Sequence, residues 1–216
     1  MDISYAQQIL DYWFTKDGTP DYDKWFLRSN KYDDEIKEKF GDLLKEAEKG
    51  KGYGWLISKD SFVAYIILMD QFSRHIYRGS CDAFKNDKGT MIFTELGFEI
   101  YKDDLIGYEF MFAFMPYMHT ESLLYQEKGK EIFNNYYSVC EQKQKQKNMP
   151  TLKSELLLHY QQDLKMLKSM KNHMEGHFVV IEQFGRVPKR NEALGRISTQ
   201  NEINYMNQPH VRERPY

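Results

Sequence analysis

Apolar side chains in residues 3–14 recur at helical spacing, with Ile9, Leu10, Trp13 and Phe14 on one face. Gly18, Thr19 and Pro20 break that helix. Trp25 and Phe26 fall in a short aromatic helix. Residues 31–49 place Ile36, Phe40, Leu43, Leu44 and Ala47 three and four apart among acids and lysines, the pattern of an amphipathic surface helix. Gly50, Gly52 and Gly54 end it, and Trp55 opens the next segment. Residues 61–69 leave no polar face. Their β-branched side chains fit a strand, but no breaker occurs before Gly79, so a buried helix of about five turns is the better reading. Helices follow over about 83–101 and 105–115, with Pro116 kinking or ending the second. Residues 120–139 are amphipathic again. Residues 141–148 are polar and low in complexity, and read as a solvated loop or a frayed helix end. Pro150 restarts a helix that runs as far as Phe184, and residues 185–196 read as a loop punctuated by Gly185, Pro188 and Gly195. Thr199 and Glu202 form a capping box that opens a last short helix.

No strand pair with turn chemistry occurs, and no strict repeat carries the tetratricopeptide signature. The expectation is an all-α chain of eight or nine helices. Residues 1–207 form one domain, and 208–216 a loosely held tail.

Composition narrows the class. With 41% hydrophobic and 15% aromatic residues among 216, the chain can build a full core and is not disordered. A net charge of −2 argues against a broad nucleic-acid surface. No apolar run reaches the ~20 residues of a membrane span. Residues 1–10 lack the basic and apolar regions of a signal peptide. Cys81 and Cys140 are not a disulfide framework. These features together predict a soluble cytoplasmic protein. Glycine-rich phosphate loops, GxSxG and GxGxxG are missing from the sequence, so no cofactor is expected.

Arginine is placed unevenly. The chain uses 22 Lys against 8 Arg, yet residues 70–79 and 185–196 hold five Arg (Arg74, Arg78, Arg186, Arg190, Arg196) and one Lys, Lys189. A solvated surface here is made with lysine, so the two segments call for a planar, permanently charged, multidentate donor. Two uses fit: buried ion pairs that tie loops to helices, or a pocket for phosphate or carboxylate. Asp70, Arg74 and Arg78 stand at i, i+4 and i+8 on one stripe, with the acid first. The stripe leaves an apolar helix, so these charges need acceptors from elsewhere in the chain, with Glu121 as a candidate. Gly79 fits a C′ glycine.

Two further patterns carry chemistry. His119 and Glu121 directly follow the break at Pro116, where a histidine can serve as general base and a carboxylate can orient it. A packed histidine and a helix-start glutamate fit the same residues. His173 and His177 stand at i, i+4, a metal-ligand spacing, but position 174 is Met and no third ligand follows at a recognisable interval, so no metal is expected.

At this point the motifs match a family. Residues 70–79, DQFSRHIYRG, resemble the DQFPRNIFRG stretch of the domain of unknown function 924 family, and Ala83, Phe84 and Asp87 continue the match. Residues 116–121 resemble its PLxHSE stretch. His177, then 184–191, 194–196 and 198–199, resemble its FGRFPHRNxxLGRxST signature. The chain departs at Ser73 for proline, His75 for asparagine and Lys189 for histidine. The resemblance covers nearly the whole chain and implies a tetratricopeptide-like α-α superhelix, with no activity attached.

The leading functional expectation is a small-molecule pocket for an anionic ligand. Asp70, Arg74, Arg78, His177, Arg186, Arg190, Asn191 and Arg196 would line it, with acid/base chemistry open to His119 and Glu121. The alternative is a helical-repeat scaffold that binds an acidic peptide or a protein partner.

Overall fold

The computed structural model describes residues 2–145 and 154–212. Among them the backbone is all-helical and no strand forms. The chain divides into two compact units, Met1–Pro116 and Tyr117–Tyr216.

The first unit holds α1 (Ser4–Trp13), α2 (Tyr22–Phe26), α3 (Asn30–Glu46), α4 (Lys59–Ile66), α5 (Ser73–Ile76) and α6 (Asp87–Tyr101). Its core is aromatic. Trp13 of α1 meets the rings of Phe72 and Phe112, each at 5.3 Å, and Trp25 at 6.3 Å. Trp25 Nε1 donates to the Trp13 carbonyl at 3.0 Å, which ties α2 to the end of α1. Phe40 of α3 closes on Phe72 at 4.8 Å.

A Ser58–Ser61 capping box opens α4. Every residue from 61 to 73 is buried, as the absence of a polar face requires. The helix is not uniform. Between α4 and α5 it widens into a π segment, Ile67–Phe72. The Ser73 hydroxyl donates to the Met69 carbonyl there at 2.6 Å. Past α5, whose C-cap is Tyr77, the chain turns through Gly79 at φ 81°, a left-handed conformation that glycine adopts without strain, one residue beyond the expected C′ position.

Against α4 lies α6. Gly97 permits the close approach, since a Cβ there would fall 2.0 Å from the Phe62 ring. Phe93 packs on Tyr65 at 4.0 Å between centroids.

Helix α7 (Gly107–His119) contains Pro116 and continues past it. The proline neither ends the helix nor stands at the break, which falls at His119.

In the second unit α8 (Leu123–Lys145) packs on α9 (Ser154–Phe184), and Tyr136 OH donates to Asp163 Oδ2 at 2.9 Å between them. Gln126 Nε2 donates to the carbonyls of Met118 and Thr120, each at 3.0 Å, and so satisfies the C-terminal end of α7. The polar stretch that begins at Glu141 continues α8 as far as Lys145. The remainder of that stretch and the expected restart at Pro150 lie outside the described residues. Helices α10 (Gln200–Met206) and α11 (Pro209–Arg212) complete the unit. Val211 is buried and its carbonyl accepts from Lys189 Nζ, which anchors the first part of the expected tail. Residues 213–216 lie outside the described residues.

Candidate functional site

In the first unit, Arg74 leaves the buried helix between two carboxylates. Its Nη2 donates to Asp70 Oδ1 and to Asp87 Oδ1, each at 2.9 Å. The Asp70 side chain is 1% exposed, so this pair is an interior one. Asp70 also accepts from Gln71 Nε2, and the Arg74 guanidinium lies 5.6 Å from the Phe84 ring.

Arg78 stands past the end of α5 rather than on its stripe. Its Nε and Nη2 form a fork on Asp33 of α3, with the Nη2–Oδ1 bond at 2.8 Å. His75 Nδ1 reaches the same Asp33 Oδ1 at 2.7 Å. Burial, with the Arg78 charge beside it, pushes the His75 imidazole below its ordinary value against the pull of Asp33. Burial works to raise Asp33, but Arg78 and His75 overrule it and hold the carboxyl below its usual range.

The second unit gathers 119–121 and 186–196. Glu121 accepts from Arg196 Nη1 at 2.7 Å, from Arg196 Nη2 at 3.0 Å and from the Val187 amide at 2.8 Å. Burial acts to raise the Glu121 carboxyl, and Arg196 together with the Val187 N–H brings it below the ordinary value. Glu121 thus serves Arg196, whereas Arg78 has Asp33 and Arg74 has Asp70 and Asp87, so the expected pairing of Glu121 with the 70–78 stripe gives way to separate acids. Arg190 Nη2 donates to the His119 carbonyl at 3.0 Å. Arg186 grips Glu202 through Nε at 2.6 Å and Nη2 at 2.9 Å, and Nη2 also reaches the Ile197 carbonyl at 3.0 Å.

Glu202 has two tasks. It is the N3 residue of the Thr199 capping box, accepting from the Thr199 amide at 2.7 Å, and it is the anchor of Arg186. The Arg186 fork, with the Thr199 N–H assisting against burial, holds its carboxyl down at about 2. Asn191 is buried, its Nδ2 donating to Ser198 Oγ at 3.1 Å and its carbonyl accepting from the Arg196 amide at 2.7 Å. The His119 and His177 rings meet at 6.1 Å, edge to face. His177 also borders a small depression with Val180, Val187, Pro188, Lys189 and Tyr205. His173 is exposed. Among the described residues no group of three His, Cys, Asp or Glu side chains is placed to hold a metal ion.

Sequence reasoning located the arginines and missed most of their acids. Asp87 was legible as a continuation of the family stretch, and Glu202 as a capping-box residue. Asp33 stands beside Asp34 and Glu35 in a polar helix start, and nothing in the sequence separates it from them.

A family model described as a bacterial protein of unknown function (DUF924) matches residues 9–210. The solved structure of a protein of unknown function from Agrobacterium tumefaciens is similar to the chain. Identity is 25%, the TM-score is 0.69, and the match covers 94% of this chain and 97% of that one. No curated protein matches. None of the described helices is long and apolar enough to cross a membrane.

Proposed function

The chain belongs to the bacterial family of proteins of unknown function DUF924, and within it we propose that this protein is a non-enzymatic helical scaffold for a protein partner. The tetratricopeptide-like superhelix expected of the family supplies the architecture of this reading. One observation carries it: each of the five arginines in the two enriched segments is engaged by a carboxylate or carbonyl of its own unit. Four hold carboxylates, three of them through two nitrogens. A guanidinium already forked on a carboxylate has little left for a ligand, so the arginines act as ties.

A second reading, the anion pocket, keeps one observation in its favour. Arg74 Nε and Arg196 Nε are buried and donate to no protein atom. A titration of phosphate, sulfate, citrate and a nucleotide at fixed ionic strength separates the two. The scaffold reading expects an unchanged melting temperature throughout. An anion present at ~100 times its dissociation constant would stabilise an open clamp by about 2.7 kcal/mol, and a rise of several degrees would favour the pocket.

A further inference from the structure

Asp33, in the first turn of α3, ties the end of α5 to that helix by holding His75 and Arg78 together. Its Oδ1 is shared, 2.7 Å from His75 Nδ1 and 2.8 Å from Arg78 Nη2. Those two nitrogens stand 3.2 Å apart. The three side chains differ in their access to water: His75 is 5% exposed, Asp33 14% and Arg78 36%. On the α1 side the ring meets Trp13, which carries no charge, at 5.9 Å between centroids. Asp70 of the π segment is turned to Arg74, and Asp82 of the Cys81–Phe84 turn, which also packs on α5, is exposed. Among the described residues, the charged groups that act on the ring are Asp33 and Arg78.

A neutral imidazole carries one ring proton, so Nδ1 either donates or accepts, whereas in the imidazolium it only donates. Once the ring is charged, Nδ1–H donates to Asp33 Oδ1, and the neighbouring Arg78 Nη2 becomes a donor facing a donor. Two cations then compete for one carboxylate. Burial decides which of them leaves: the ring is enclosed, while the guanidinium can move into water. We propose that these three groups form an acid-released latch, in which protonation of the His75 ring ejects Arg78 from Asp33 and frees the turn after α5 from α3. The step takes one proton from solvent onto the ring and breaks the two hydrogen bonds of the Arg78 fork, and Asp33 stays ionised beside the imidazolium. Burial and Arg78 hold the ring below its ordinary 6.5, so the latch is closed at neutral pH and the folded chain takes the proton less readily than the unfolded one. The stability that the closed latch gives is complete above about pH 7 and is lost as the solution is acidified below that. The asparagine that the resembled family stretch carries at this position does not titrate, so the latch is a property of this chain, and it is independent of the scaffold reading.

The test is an NMR titration of the full chain from about pH 8 to about pH 5, which reads the His75 ring, the Arg78 Nε–H and the backbone amides of residues 77–80. The ring is expected to titrate below its ordinary 6.5, and the Arg78 Nε–H to lose its carboxylate-bonded shift at the same midpoint. Protection of the 77–80 amides, corrected for the intrinsic effect of pH on exchange, should fall roughly tenfold. In His75→Asn the Arg78 signal should stay constant over the whole range. Arg78→Gln, a change at the most exposed of the three, keeps the test open if His75→Asn fails to fold. Coupling is reciprocal, so removing the guanidinium should raise the His75 midpoint. A ring that titrates while Arg78 stays on Asp33, a release of Arg78 that persists in His75→Asn, or a His75 midpoint unmoved by Arg78→Gln overturns the proposal.

Discussion

Arg74 and Arg196 solve one problem on opposite kinds of backbone. Arg74 leaves a helix buried along its length, and its first acceptor, Asp70, stands one turn earlier on that helix. Arg196 leaves a loop after Gly195, and its acceptor, Glu121, lies 75 residues away. The helical arginine neutralises a carboxylate that burial would otherwise penalise. The loop arginine fixes backbone, because its guanidinium and the Glu121 carboxylate together hold Val187 at both its amide and its carbonyl. One pair therefore protects the core, and the other holds a loop in place.

Removing a partner from the interior pair should cost most. Arg74→Ala leaves Asp70 buried without its cation, and a loss of about 3–5 kcal/mol is expected in a urea melt. A change below about 1 kcal/mol, within the range of a surface substitution, would mean that water or another group takes over. The loop pair should cost less. Glu121→Gln keeps the shape and loses the charge, with an expected loss of about 2 kcal/mol. It should also bring faster amide exchange in 186–196, because the Val187 anchor weakens.

Acid should loosen the second unit through Glu202. Its folded carboxyl, at about 2, lies below the ordinary 4.5, so the unfolded chain takes up the proton first. The stabilisation is complete above about pH 5 and is lost as pH falls toward 2. Glu202→Gln should flatten the acid limb of the stability curve over that window. At neutral pH it should cost more than the ~1 kcal/mol of a weakened capping box, because the Arg186 fork loses its charged partner as well. The smallest effect is expected at Arg78, whose side chain is 36% exposed. Arg78→Lys keeps the charge and loses the fork on Asp33, and solvent screening limits the loss to below about 1 kcal/mol.

The same contrast explains how far the sequence could be read. Helical periodicity gave the fold class, because each helix buries a stripe that shows in the spacing of its own residues. The Asp70–Arg74 pair was legible for the same local reason. The π segment at 67–72 was hidden, since a run of buried residues with no polar face carries no phase to shift. Pro116 did not mark the helix end, since Tyr117, Met118 and His119 continue α7 beyond it. Asp33 and the Glu121–Arg196 pair were invisible as pairs, since their partners meet only once the chain has folded.

The claim that the arginines are internal ties is tested most directly by a double-mutant cycle of Glu121→Gln and Arg196→Lys, in urea and without added anions. A coupling of about 1–3 kcal/mol is predicted, as for residues in one hydrogen-bonded network. Additive single effects, together with a wild-type melting temperature that rises with phosphate, would contradict the account and return Arg196 to a ligand.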